Sequence, residues 1–205
     1  MREALVYVPA TAKTNPTPIV FAFHGHGGNM ERVSRIWDYQ KLWPQAIVVY
    51  MQGLKTPGKI TDPEGNKTGW QKTTGDQNDR DLKFFDAVLA SLENEYRVDK
   101  NRIYSTGHSN GGSFTYLLWQ ARPNVFAAFA PSAAVKGPLV LDNPGFVPKP
   151  AFIIAGRQDP LVKFDWKEKM IDVLRRLNQC GAGTPWNVDN RLTEYSSSAN
   201  APIVT

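Results

Sequence analysis

Apolar residues along this chain fall into short solid runs separated by amphipathic stretches. Ile19-Val20-Phe21-Ala22-Phe23 and Ala46-Ile47-Val48-Val49-Tyr50-Met51 are apolar at nearly every position, as strands buried on both faces of a central sheet must be. Between residues 81 and 96 the period changes: Leu82, Phe85, Leu89, Leu92 and Tyr96 repeat at helical spacing and predict a helix from Asp81 to Tyr96. Arg102 to Thr106 reads as a strand. Ser113 to Gln120 reads as a helix through Phe114, Leu117 and Leu118. Further strands are predicted at Phe126–Ala130 and Ala151–Ala155, with Arg191–Tyr195 and Pro202–Thr205 as the last two. Trp166, Met170, Val173, Leu174 and Leu177 make one more helix. The N-terminal stretch Met1 to Tyr7 reads as a strand from the first residues. Strands alternating with helices predict an α/β fold with a mostly parallel sheet and helices on both faces.

Two stretches lack periodicity. Gln52 to Gln77 is rich in Gly, Pro, Thr and Lys, and a loop this long in a compact domain is functional or mobile. It lies between a strand and a helix, where it can overhang a site at the sheet edge, and its Trp70 is the residue to test for substrate stacking. Ala182 to Asn190 is the second irregular segment.

At 205 residues the chain forms one domain with a substantial core. With 41% hydrophobic and 21% charged residues it is neither disordered nor membrane-embedded. The net charge of +5 is spread out, so nothing marks a nucleic-acid surface. Lys163 to Lys169 interleaves opposite charges, as a solvated helix face does. One cysteine, Cys180, and three histidines exclude a disulfide within the chain and a Cys/His zinc site. Asp76-Gln77-Asn78-Asp79-Arg80-Asp81 has Arg at the fifth position and no Gly at the sixth, so it is no calcium loop. Asp79 or Asp81 is instead expected to cap the helix that follows.

The chemistry concentrates at Gly107-His108-Ser109-Asn110-Gly111, a G-x-S-x-G sequence between a predicted strand and a predicted helix. A serine presented at such a turn is a nucleophile, and glycines on either side let strand and helix approach closely. Serine needs donors for the oxyanion, an acid and a base. His24-Gly25-His26-Gly27-Gly28-Asn29 follows an apolar strand, where an oxyanion loop belongs; the hole pairs the backbone N–H of His26, or next Gly27, with that of Asn110. His24-x-His26 as a metal pair is the bland alternative, with no carboxylate cluster to support it. Asp159, in Gly156-Arg157-Gln158-Asp159-Pro160, follows the Ala151–Ala155 strand and has the chain order of a triad acid. Asp142 and Asp165 are the alternatives, and Asp-Pro is also ordinary turn chemistry. The base is harder to place. His108 sits beside the serine and cannot readily turn back onto its hydroxyl, and His24 and His26 belong to the oxyanion loop. The chemistry calls for no metal and no cofactor.

Taken with Tyr96-Arg97-Val98-Asp99 ahead of Arg102 and with Gly112 after the elbow, these motifs resemble the polyhydroxybutyrate depolymerase and feruloyl esterase-like α/β-hydrolases, carbohydrate esterase family 1 in the broad sense. The likeness runs from Val6 to Thr205. It implies the α/β-hydrolase fold, Ser109 as nucleophile, Asp159 as acid, and an oxyanion hole at the His26 region with Asn110. It also implies a secreted or periplasmic enzyme cleaving feruloyl or acetyl esters of plant polysaccharide, or polyester. In that family a Gly-Gly-His type segment carrying the base follows a final strand, and this chain stops at Thr205 within that strand; the family's disulfides are also missing. The leading expectation is a serine esterase domain without its last segment, monomeric and acting on small or polymer-linked esters. A non-catalytic ligand-binding relative is the alternative. A third possibility takes the histidine from another chain by exchange of C-terminal strands.

Overall fold

The computed structural model describes residues 1–58, 60–136 and 145–205. Its centre is a sheet in which β2 (Thr17–Phe23), β6 (Val98–His108), β7 (Ala128–Ser132), β8 (Ala151–Phe152) and β11 (Ile203–Val204) run parallel in that spatial order. Beyond β2 come β3 (Ile47–Met51), parallel, and then β1 (Ala4–Tyr7), antiparallel. Beyond β11 come β10 (Thr193–Ser197) and β9 (Cys180–Pro185), each antiparallel to its neighbour, while β4 (Leu54–Lys55) and β5 (Thr68–Gly69) form a separate antiparallel pair. Parallel neighbours need crossovers, and the helices supply them: α1 (Met30–Trp37), the short α2 (Tyr39–Leu42), α3 (Arg80–Glu95), α4 (Asn110–Ala121) and α5 (Phe164–Leu177).

The period of two explains the core. Ile19, Phe21 and Phe23 of β2 and Ile47, Val49 and Met51 of β3 join the larger cluster, with α3, α4 and α5. Ala22, Val48 and Tyr50 point to the other face and pack against Val33 and Trp37 of α1 and against Tyr39. Both faces therefore carry helices, but unevenly. On the α1 side, alternate residues of β6 and β7 (Tyr104, Thr106, Ala128, Ala130), with Phe152 of β8 and Ile154 beyond it, line an open cavity of about 730 Å³.

Most predicted elements are present with shifted ends. The first-turn N–H groups of α3 differ from expectation: neither Asp79 nor Asp81 caps them. The Gln71 side chain does, its Oε1 accepting from Asp81 N and Leu82 N at 3.0 and 3.2 Å. Asp81 is buried and paired with Arg2 at 2.8 Å. The 182–190 stretch, read as irregular, begins inside strand β9. The 163–169 face is not uniformly solvated either, because Lys167 is buried.

Candidate active site

Strand β6 ends at His108, and α4 begins at Asn110, leaving Ser109 alone at the turn. Its backbone stands at φ 53° and ψ −118°. A non-glycine residue there is strained, and such strain persists only where the surroundings enforce it. The surroundings here are glycines. A Cβ on Gly107 would lie 2.4 Å from Gly111 O, and one on Gly111 would lie 2.1 Å from Phe23 O. Gly25 of the neighbouring loop also faces the elbow, its missing Cβ falling 3.6 Å from Ser109 Cβ, an ordinary contact distance. The small residues of the motif are there because strand, helix and loop backbones meet around one serine.

Two candidate donors belong to residues that line the same cavity as Ser109. Asn110 is the first residue of α4, so its N–H has no intrahelical acceptor. His26 N–H has no acceptor among the described residues, whereas Gly27 N–H donates to Thr68 O at 2.7 Å. Gly27 is thus spent on structure, and the second choice for the oxyanion hole drops out. His26, Ser109 and Asn110 line one cavity of about 580 Å³, together with Ile60, Lys67, Lys72, Leu161, Val162 and Trp166.

The 52–77 stretch forms one wall of this cavity and is stitched to the oxyanion loop. His24 is fully buried; its Nδ1 lies 2.8 Å from Gly25 O, and its Nε2 accepts from Gly53 N at 3.0 Å. Those partners assign the proton to Nδ1. Burial lowers the His24 pKa, which fits the neutral ring. His26 Nε2 bonds Asp62 Oδ2 at 3.0 Å, and Asp62 also accepts from Asn66 N and Lys67 N. Those backbone bonds, more than the histidine, hold the Asp62 carboxyl below its usual range against its own desolvation. Gly58 and Gly69 leave room for the His26 ring, since a Cβ on either would reach it within 2.9 Å. Asp62 carried no sequence signal, being 36 residues from its partner. Both histidines of the His-x-His pair are thereby accounted for as braces.

Trp70 belongs to the same stitching and is not a stacking platform. It is fully buried, its Nε1 donates to His24 O at 2.9 Å, and its ring lies against Phe23 and Phe114. Its backbone is gripped by the Asn110 side chain through both N–H and C=O. The aromatic residue that reaches the cavity is Trp166, on α5.

Ser132 of β7 pairs with His108 and bridges to Ile154, so Ser109 and Asp159 follow the C-terminal ends of the two parallel strands that flank β7, at one end of the sheet. Asp159 does not line the cavity itself, though Leu161 and Val162 do. Its Oδ1 accepts from Leu161 N and Val162 N at 3.0 Å each, and its Oδ2 pairs with Lys167 Nζ at 2.7 Å. Partial burial pushes its pKa up, but the Lys167 contact and the two N–H bonds outweigh that and bring it down to about 2. Asp165 is exposed in the first turn of α5, and Asp142 lies outside the described residues. His108 faces the other way: its ring lines the large cavity on the α1 face and sits 3.3 Å from Ser132 Oγ. Burial lowers its pKa, with Asp159 acting in the opposite sense. Among the described residues no histidine ring bonds Ser109 or Asp159. No group of His, Cys, Asp and Glu among those residues has the arrangement to hold a metal ion.

A parallel sheet with a strained serine at a strand-to-helix turn, beneath a glycine-rich loop, defines an α/β-hydrolase, and this chain has that fold. Within that class its sequence relatives are esterases. It is 28% identical over 181 residues to feruloyl esterase C of Emericella nidulans, covering 87% of this chain and 63% of that protein. It is 27% identical over 196 residues to a bifunctional acetylxylan esterase/xylanase of Neocallimastix patriciarum, covering 93% of this chain and 26% of that one. The chain thus spans less than two thirds of the length of these relatives. The prolyl oligopeptidase family matches residues 65–143, a stretch that includes the elbow. Among solved structures, an acetyl xylan esterase from Aspergillus awamori superposes with a TM-score of 0.68 at 14% identity, over 98% of this chain and 85% of that one. That likeness concerns the fold.

Proposed function

We infer that this chain carries the core of a serine esterase that hydrolyses carboxylic esters through an acyl-enzyme. The observation that carries the reading is the strained backbone of Ser109, held at the mouth of a cavity shared with two unpaired N–H groups. A binding-only relative has no use for that strain. In the reaction, Ser109 Oγ attacks the ester carbonyl carbon while an imidazole takes its proton. The carbonyl oxygen becomes an oxyanion held by His26 N–H and Asn110 N–H. Collapse expels the alcohol, which takes the proton back from the imidazole, and water then repeats the sequence to release the acid. Asp159 orients the imidazole and stabilises its charged form. That imidazole is none of His24, His26 or His108, because two are braces and the third faces away.

Within this reading, feruloyl or acetyl esters of plant polysaccharide are the favoured substrates, and hydroxybutyrate-type polyesters come second. The relatives' names support the former. A secreted or periplasmic setting and a monomeric state go with the same reading, and no helix among the described residues is long and apolar enough to cross a membrane. The test is hydrolysis of methyl ferulate, acetylated xylan and short hydroxybutyrate oligomers, with imidazole added, by the protein and by Ser109→Ala. Release on at least one substrate, lost in the variant, is expected. Equal release by both proteins overturns the reading.

A further inference from the structure

The two walls of the Ser109 cavity differ in chemistry. On one side stand Leu161, Val162 and Trp166, with Leu161 and Trp166 49% and 39% exposed. Two large apolar side chains left in water at the mouth of a reactive cavity are a surface prepared for an apolar or aromatic group. On the other side, from residues 60–72, stand Lys67 and Lys72 beside the exposed Ile60.

Lys67 is the informative one. Its stem lies over Gly27 of the oxyanion loop, where a glycine Cβ would come 3.4 Å from Lys67 Cδ. That is an ordinary contact distance, and what glycine supplies at position 27 is its positive φ of 75°. Asp62, which touches the Lys67 backbone, is already engaged by His26 and by the N–H groups of Asn66 and Lys67 itself. No ion pair reaches the Lys67 ammonium among the described residues, so it presents an uncompensated charge beside the site where substrate binds. Further along the wall, Lys136 follows cavity-lining Val135; it is only 5% exposed and has no ion pair among the described residues. Burial lowers its pKa while the charge of Asp76 raises it. Asp76 is itself held by the N–H groups of Lys72 and Thr73. The remaining carboxylate of the site, Asp159, is matched by Lys167.

We propose that the ester accepted here carries a carboxylate as well as an apolar or aryl part, with Lys67 reading the carboxylate and Trp166 the apolar part. This deepens the esterase reading and rests on it. An acidic saccharide next to an acylated sugar, or an aryl ester bearing a free carboxyl group, has that chemistry. One exposed ion pair is worth up to about 1 kcal/mol, which corresponds to about five-fold in affinity.

Because binding needs no turnover, the test uses amides that the site does not hydrolyse readily: 4-acetamidobenzoate against its neutral isostere 4-acetamidobenzamide, titrated calorimetrically. The benzoate is expected to bind about five-fold tighter at low salt, with the margin shrinking at about 0.5 M salt as screening sets in. Lys67→Met should remove most of the margin, and Lys67→Arg should keep it. Equal binding of the two amides overturns the proposal, as does a preference that survives both high salt and Lys67→Met, or no measurable binding of either. The salt series on the unaltered protein stands even where the Met variant fails to fold. Acylation of Ser109 is read separately, so failure here leaves the esterase reading standing.

Discussion

The two halves of the candidate site are built to different densities. On the nucleophile side, backbone meets backbone: Gly111 lies against the carbonyls of Phe23 and His24, and the 52–77 wall is laced to the oxyanion loop through Gly53, Asp62, Thr68 and Trp70. On the acid side, β8 is two residues long, and a Cβ on Gly156 would meet nothing within 4 Å. One buried lysine and two N–H groups hold Asp159. The difference fits the roles proposed for the two halves. An oxyanion hole works only if its donors are fixed before the charge appears, since reorganisation during the reaction forfeits the stabilisation. An acid that orients an imidazole needs room for that ring.

A pair of glycine substitutions gives the largest expected contrast. Gly111→Ala places a methyl group at 2.1 Å from a strand carbonyl and should cost about 4 kcal/mol or more, to the point of failing to fold. Gly156→Ala, chemically the same change, should stay within about 0.5 kcal/mol. Denaturant titration of both reads the difference directly, and equal costs would break the comparison.

Lys167→Met comes next. It takes the buried partner from Asp159, and loss of one member of a buried pair costs about 3 kcal/mol. It should also change the acid limb. The folded pKa of Asp159 lies below its unfolded value, so the pair stabilises fully above about pH 4 and fades as pH falls toward about 2. That loss should be smaller in the variant, as followed by thermal melts across the range.

The two tryptophans separate the halves in another way. Trp70→Phe leaves the buried His24 carbonyl without its donor and should cost about 2 kcal/mol. Its effect falls on stability. Trp166→Ala should barely move the melting point but weaken binding of aryl ligands. A reversed pattern would restore Trp70 as the stacking residue.

The smallest expected effect is on the pH dependence around neutrality. Burial depresses the pKa of His24, so the unfolded chain takes up a proton there more readily than the folded one. Its stabilising contribution is complete above about pH 6.5 and is lost as pH falls below that value. His108, shifted the same way, adds to the slope. His24→Gln should be less stable throughout and flatter between about pH 7.5 and 5.5.

What could be read in advance divides along the same line. The strands β2 and β3, the helix α3 and the elbow were legible because apolar period and motif are local properties. Helix α1 went unread although its signal is present: Asn29 caps it by accepting from Arg32 N, ahead of Met30 and Val33. Strand β9 was not legible, since Cys180-Gly-Ala-Gly-Thr-Pro is almost wholly exposed and becomes a strand only by pairing with β10. The Asp62 brace, the inward Trp70 and the buried Lys167 depend on contacts across the fold, and composition near each residue points elsewhere. A charge-rich helix face hides one buried lysine well.

The central claim is that Ser109 is a nucleophile in a prebuilt site that none of the chain's three histidines serves as base. The direct measurement is the intact mass, followed by peptide mapping, of the protein incubated with an aryl acetate, with and without added imidazole. The account predicts one acetyl group on the peptide containing Ser109, forming markedly faster with imidazole and absent in Ser109→Ala. Acetylation confined to lysines, or Ser109 acetylation at full rate without imidazole, would contradict it.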